Sequence, residues 1–141
     1  VKPIEESSDA AFASGALGKG VVILPEEGKV YAPVTGTVTV LFPSLHAIGI
    51  TSDAGVELLI HIGINTVQLN GEGFTAHIKQ GDQIKQGQLL VEFDMNKINY
   101  IINKIEVYLY QVVFQITFIR RKILITPLNF KRLLLFSSTL K

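Results

Sequence analysis

Between residues 18 and 93 the sequence is cut into short apolar runs by turn signals recurring every ten residues or so, and that rhythm admits only short strands. Val21–Leu24 closes on Pro25-Glu26-Glu27-Gly28, and Lys29–Ala32 on Pro33-Val34-Thr35-Gly36. Thr37–Leu41, His46–Thr51 and Val56–Ile62 follow, the last two separated by Ser52-Asp53-Ala54-Gly55. Asn70-Gly71-Glu72-Gly73 precedes Phe74–Ile78, and Gly81-Asp82 and Gly87 punctuate Gln83–Lys85 and Leu89–Phe93. No long helical period interrupts the series. The pattern predicts an all-β body, an antiparallel barrel or sandwich. The first twenty residues, rich in Ser, Ala and Gly, predict a loop with at most one helical turn at Asp9–Phe12, after a possible strand end, an N-terminal strand expected to be incomplete.

The rhythm stops at Met95–Ile98. Residues 1–98 hold eleven acids and six lysines, net −5, whereas residues 99–141 hold Glu106 against seven basic residues, net +6. All twelve glycines precede the change. The division expected is a body over residues 1–98 and an atypical basic and apolar tail over residues 99–141, read in a different frame from the body. A basic half raises nucleic acid as a partner, but Val107–Ile119 is uncharged and Arg120-Arg121-Lys122 is an isolated run, so no nucleic acid is expected. Val107–Ile119 also falls short of the roughly 18 residues a transmembrane helix needs, so no membrane insertion is expected. The chain has no Cys, which removes disulfides and zinc-thiolate chemistry. No secretory signal is visible.

Chemistry concentrates in Pro43–Thr66, where His46 and His61 flank the Asp53-Ala54 turn. With Asp53 and Ala54 as the central pair of a hairpin, His46 faces His61 and Ile48 faces Leu59, the imidazoles roughly 5 Å apart at Cβ. Two facing imidazoles do not both charge cheaply, so one ring stays neutral with a free nitrogen, a nucleophile or a metal ligand. A slip of one residue would put the rings on opposite faces.

Ala32–Val38 and Gly81–Leu90 resemble the start and middle of a biotinyl or lipoyl domain, but Asn96 stands between Met95 and Lys97, against attachment of a cofactor at Lys97. A denser resemblance runs from about Ile4 to Ile98, through GKVYAPVTGTV and LFPSLHAIGITSDAGVELLIHIGINTVQLNGEGFTAHIKQGDQIKQGQLLVEFD. These strings resemble the enzyme IIA domain of the glucose and β-glucoside class of the bacterial phosphoenolpyruvate-dependent sugar phosphotransferase system. The resemblance implies the duplicated hybrid, or barrel-sandwich, fold. It implies that His61 is phosphorylated, with His46 as its partner. It further implies a phosphocarrier that takes the phosphoryl group from the carrier protein HPr and passes it to a cysteine of the IIB domain of an IIB/IIC sugar permease, in the cytoplasm at the inner face of the membrane. The intermediate is a covalent phosphohistidine and no cofactor is called for.

On this reading His46, when protonated, and backbone N–H groups near Gly63–Asn65 donate to the phosphoryl oxygens. Phe42, Ile48 and Leu59 exclude water and dock partners, and Asp9 and Glu57 steer a basic partner face. Asn65 stands where the family usually has Asp, one acid fewer for docking. The tail lacks the family's closing segment, apart from a faint echo at Thr126-Pro127-Leu128, so an unpaired sheet edge is expected. Two other readings fit the histidines: a regulatory protein-binding module, and a zinc site in which His46 and His61 supply half of a tetrahedral set and a partner carboxylate completes it. The transported sugar is not legible.

Overall fold

The computed structural model describes residues 1–16, 18–102, 106–112, 115–119 and 122–126. Arg120, Arg121 and residues 127–141, including Pro127 and Leu128, lie outside them. The strands are β1 (Lys2–Pro3), β2 (Gly18–Ile23), β3 (Lys29–Tyr31), β4 (Gly36–Leu41), β5 (Ala47–Ser52), β6 (Glu57–Ile62), β7 (Phe74–Ala76), β8 (Gln83–Ile84), β9 (Leu89–Phe93), β10 (Val107–Val112), β11 (Gln115–Ile119) and β12 (Lys122–Thr126). Two helices, α1 (Ala10–Ala13) and α2 (Met95–Ile102), and two 3-10 turns complete the described elements.

A seven-stranded antiparallel sheet has the order β1-β2-β10-β6-β5-β4-β8, and β3-β9-β7 forms a second sheet. Apolar side chains from both sheets fill the space between them, at alternate positions in β5 and β6. Val38, Ile48, Ile50, Ile60, Ile62 and Val107 come from the large sheet, and Val30, Leu90, Val91, Phe74 and Phe93 from the small one. The intervening residues of the large sheet face the other way. Val22, Ala47, Leu59 and Tyr108 form a smaller outer cluster with Ile4 and Phe42, and Phe12, Val40 and Ile64 pack on it. The N-terminal segment covers this outer face, and the histidines lie there.

The β5–β6 register differs from the sequence expectation by one residue. Ala47 pairs with His61, Ile48 with Ile60 and Gly49 with Leu59. Ser52 N–H donates to Val56 O, and Gly55 adopts φ +80°, so Asp53, Ala54 and Gly55 make a three-residue loop instead of a two-residue turn. Ile48 and Leu59 therefore point to opposite faces.

The composition change at Asn99 is not a boundary in the sheet. β10 lies between β2 and β6, pairing Tyr108 with Val22 on one side and His61 on the other. The edge expected after residue 98 is thus filled by residues assigned to the tail. Backbone pairing asks only for an extended segment, and Val107, Tyr108 and Leu109 supply the in-out alternation that seats it. Lys97 lies in α2 and pairs with Glu72, so it occupies no hairpin tip. Among the described residues no helix is long and apolar enough to cross a membrane.

Candidate functional site

Strand alternation sends His61 to the outer face of β6, beside Ala47 of β5 and Tyr108 of β10. His46 reaches the same face although the register puts it opposite Ile62, whose N–H donates to the His46 carbonyl. The residue precedes β5 and follows Leu45, which sits in the left-handed region at φ +58°. Leu45 packs on the inner core while His46 and Ala47 both belong outside, so the pleat's alternation fails at this corner. The slip that would have separated the rings is cancelled by the turn preceding the strand.

The two imidazoles stand edge to face, with centroids 4.9 Å apart and planes at 86°. Phe42 flanks His46 at 5.4 Å, and Phe12 flanks His61 at 5.0 Å. His46 is buried, and its Nδ1 lies 2.6 Å from the Ser44 hydroxyl. Burial pushes the His46 ring down to about 4. Burial, and then the neighbouring His46, push His61 down to about 3, against an upward pull from the Gly63 carbonyl. Both rings are neutral near pH 7. Nδ1 of His61 is enclosed and makes no hydrogen bond of regular geometry, which leaves Nε2 as the nitrogen that can meet a partner.

Two of the expected donors change character. His46 is neutral, so it donates only through an uncharged N–H. Gly63 N–H is taken by the Glu106 carbonyl at 2.7 Å, leaving Ile64 and Asn65 of the expected group. Asn65 is exposed at φ +56° ahead of the 3-10 turn Thr66–Leu69, and the Thr66 hydroxyl donates to the Ile62 carbonyl. This bond ties the turn back to the end of β6.

The expected docking residues divide. Phe42 and Leu59 belong to the outer cluster beneath the histidines. Ile48, at 0% exposure in the inner core, is unavailable to any partner. Glu57 begins β6, four residues from His61 and so roughly 13 Å along the strand. Asp9 caps α1, its carboxylate accepting from Ala11 and Phe12 N–H. The cap fixes the carboxylate at the start of the helix that carries Phe12. Sequence reasoning missed Ser44, Phe12, Tyr108 and Glu106. Ser44 stands two residues before His46, a spacing that could have drawn notice, whereas β10 carried no turn signal to mark it. Among the described residues no group of three or more His, Cys, Asp or Glu is placed to hold a metal.

The family model for the phosphoenolpyruvate-dependent sugar phosphotransferase system, EIIA 1, matches residues 1–114. The chain belongs to this EIIA family. It is 58% identical over 95 residues to a PTS system β-glucoside-specific EIIBCA component of Halalkalibacterium halodurans, a match covering 67% of this chain and 15% of that protein. It is 55% identical over 98 residues to a component of the same description from Bacillus subtilis, covering 70% of this chain and 16% of that protein. The chain thus spans less than a fifth of the length of these relatives. Among solved structures, glucose permease IIA from Mycoplasma capricolum matches with a TM-score of 0.76 at 29% identity, covering 90% of this chain and 82% of that one. The EIIA match extends past Ile98 into β10.

Proposed function

We propose that this EIIA domain is a phosphocarrier in which Nε2 of His61 takes a phosphoryl group from phospho-HPr and passes it to a cysteine on the IIB domain of a sugar permease. The observation that carries the reading is the enclosed Nδ1 of His61 in a pair of neutral, edge-to-face imidazoles. Phosphoryl transfer asks a protein chiefly for in-line positioning and for donors to the phosphoryl oxygens. A ring held near 3 keeps its nucleophilic lone pair at neutral pH, with no proton to remove first.

In the accepting step the His61 Nε2–P bond forms as the N–P bond of the donor histidine breaks. The donor imidazole leaves neutral, so no net proton moves. With the Ser44 hydroxyl donating to Nδ1, His46 carries its proton on Nε2 and offers it to a phosphoryl oxygen without becoming charged. In the onward step the cysteine thiolate forms an S–P bond, the His61 N–P bond breaks, and His61 returns to its neutral form. The relatives' EIIBCA descriptions support IIB and IIC as partners. The domain works in the cytoplasm at the inner face of the membrane, where those partners present their acceptor.

The test is phosphate incorporation from phosphoenolpyruvate through enzyme I and HPr. His61→Ala takes up none, and His46→Gln is phosphorylated but passes phosphate on more slowly by on the order of 100-fold, the loss expected when one aimed donor is displaced. Phosphate uptake by His61→Ala would overturn the assignment.

A further inference from the structure

Tyr108 of β10 and Glu106 just before the strand grip the N-terminal segment as well as the sheet. The Tyr108 hydroxyl donates to Glu106 Oε2 at 2.7 Å and lies 3.3 Å from the Ser7 hydroxyl, which donates to it. The same carboxylate oxygen accepts from Ser8 Oγ at 2.9 Å and Ser8 N–H at 3.3 Å. Ser7 Oγ accepts from Asp9 N–H at 3.0 Å, and Asp9 Oδ1 caps α1 through Ala11 and Phe12 N–H. Unbroken hydrogen bonding therefore runs from β10 to the residue whose ring stands 5.0 Å from His61. Phe12 also stacks on Tyr108, with centroids 4.3 Å apart and planes at 22°. A four-residue helix has no stability of its own, so the place of Phe12 is set by these attachments.

We propose that Tyr108 and Glu106 are positioning residues that hold Phe12 as a cover over His61. The cover protects the phosphoimidazole, a consequence that rests on His61 being the phosphoryl acceptor. Hydrolysis needs water at phosphorus: an O–P bond forms, the N–P bond breaks, and imidazole and inorganic phosphate result. Phe12 occupies one approach to the ring, and the Ser7, Ser8, Glu106 and Tyr108 bonds keep it there. Both anchoring side chains come from the segment that composition marks as foreign to the body.

The cover is read first without phosphate, by the rate at which diethylpyrocarbonate carbethoxylates His61 in the full chain at pH 7, mapped by peptide mass. His77, exposed and paired with Glu92, serves as the internal control. Tyr108→Phe, which keeps the stacked ring and loses two hydrogen bonds, and Glu106→Leu, which loses three, each raise the rate at His61 at least about fivefold, the shift expected from about 1 kcal/mol of lost hydrogen bonding. Glu106→Gln retains an acceptor oxygen and stays within about twofold of the parent. Phe12→Ala raises the rate at least as much, and adding Tyr108→Phe to it changes nothing more. The half-life of the phosphorylated protein shortens in the same order. Unchanged His61 rates in Tyr108→Phe and Glu106→Leu, equal rises at His77, or multiplying effects of Phe12→Ala and Tyr108→Phe would overturn the proposal. Failure to accept phosphate from HPr would count against the carrier reading alone, because carbethoxylation decides the cover independently.

Discussion

Replacing both histidines should flatten the acid side of the stability profile. Each imidazole has an ordinary value of 6.5, and the fold holds His46 at about 4 and His61 at about 3. Below 6.5 the unfolded chain binds protons that the folded one refuses, so stability is complete above that value and is lost as pH falls from about 6.5 toward about 3. Between pH 7 and pH 5 an unfolded imidazole gains most of a proton while both folded rings stay almost neutral. The loss is about 2 kcal/mol for each ring, about 4 kcal/mol together, a large part of a typical domain's roughly 5–15 kcal/mol. The assay is urea unfolding at both pH values followed by far-ultraviolet circular dichroism, suited to a chain without Trp. The parent should lose about 4 kcal/mol more than the His46→Gln/His61→Gln variant, since the two proteins differ at no other position. Losses equal within about 0.5 kcal/mol would refute the claim that burial keeps this pair neutral.

Ser44→Ala removes the partner of His46 Nδ1 and should slow onward transfer about fivefold, read by single-turnover phosphate release to the IIB acceptor, and cost about 1 kcal/mol in urea unfolding. Gly36→Ala should destabilise far more, because the added Cβ would meet the Thr51 carbonyl oxygen at 2.2 Å and force β4 off β5; a fall in midpoint of less than about 4 °C would contradict it. Asn65→Asp should accelerate labelling by phospho-HPr at low salt, the gain fading toward 0.5 M salt as screening shortens to about 4 Å, because it adds an acid on the exposed turn beside the site.

Much of the body is legible in its turn chemistry. Leu89–Phe93 forms a strand over just those residues, and the helical turn expected at Asp9–Phe12 forms at Ala10–Ala13 with Asp9 as its cap. The hairpin register was not legible, because Asp53-Ala54-Gly55 admits either a two-residue turn or a longer loop and only the left-handed Gly55 decides between them. The histidines' meeting was foreseen for a reason that does not hold: cross-strand pairing fails, and the corner at Leu45 brings them together. β10 was hidden because β-branched and aromatic residues without turn markers look alike in a closing strand and in an unstructured tail. With it went Tyr108 and Glu106, whose roles depend on a contact about a hundred residues away in sequence.

That distance also bears on time. Both histidines, their turn and the flanking strands are contained in residues 42–62, close enough along the chain to associate early. β2 and β6 find their common neighbour only when residues 107–112 arrive, a pairing that spans most of the described chain. Contacts of such separation form slowly, since a long loop must close before any of them rewards the closure. A chain emerging from the ribosome therefore carries its histidine pair long before β10 closes the sheet beside it, and the full surround of His61 should be among the last parts of the fold to form.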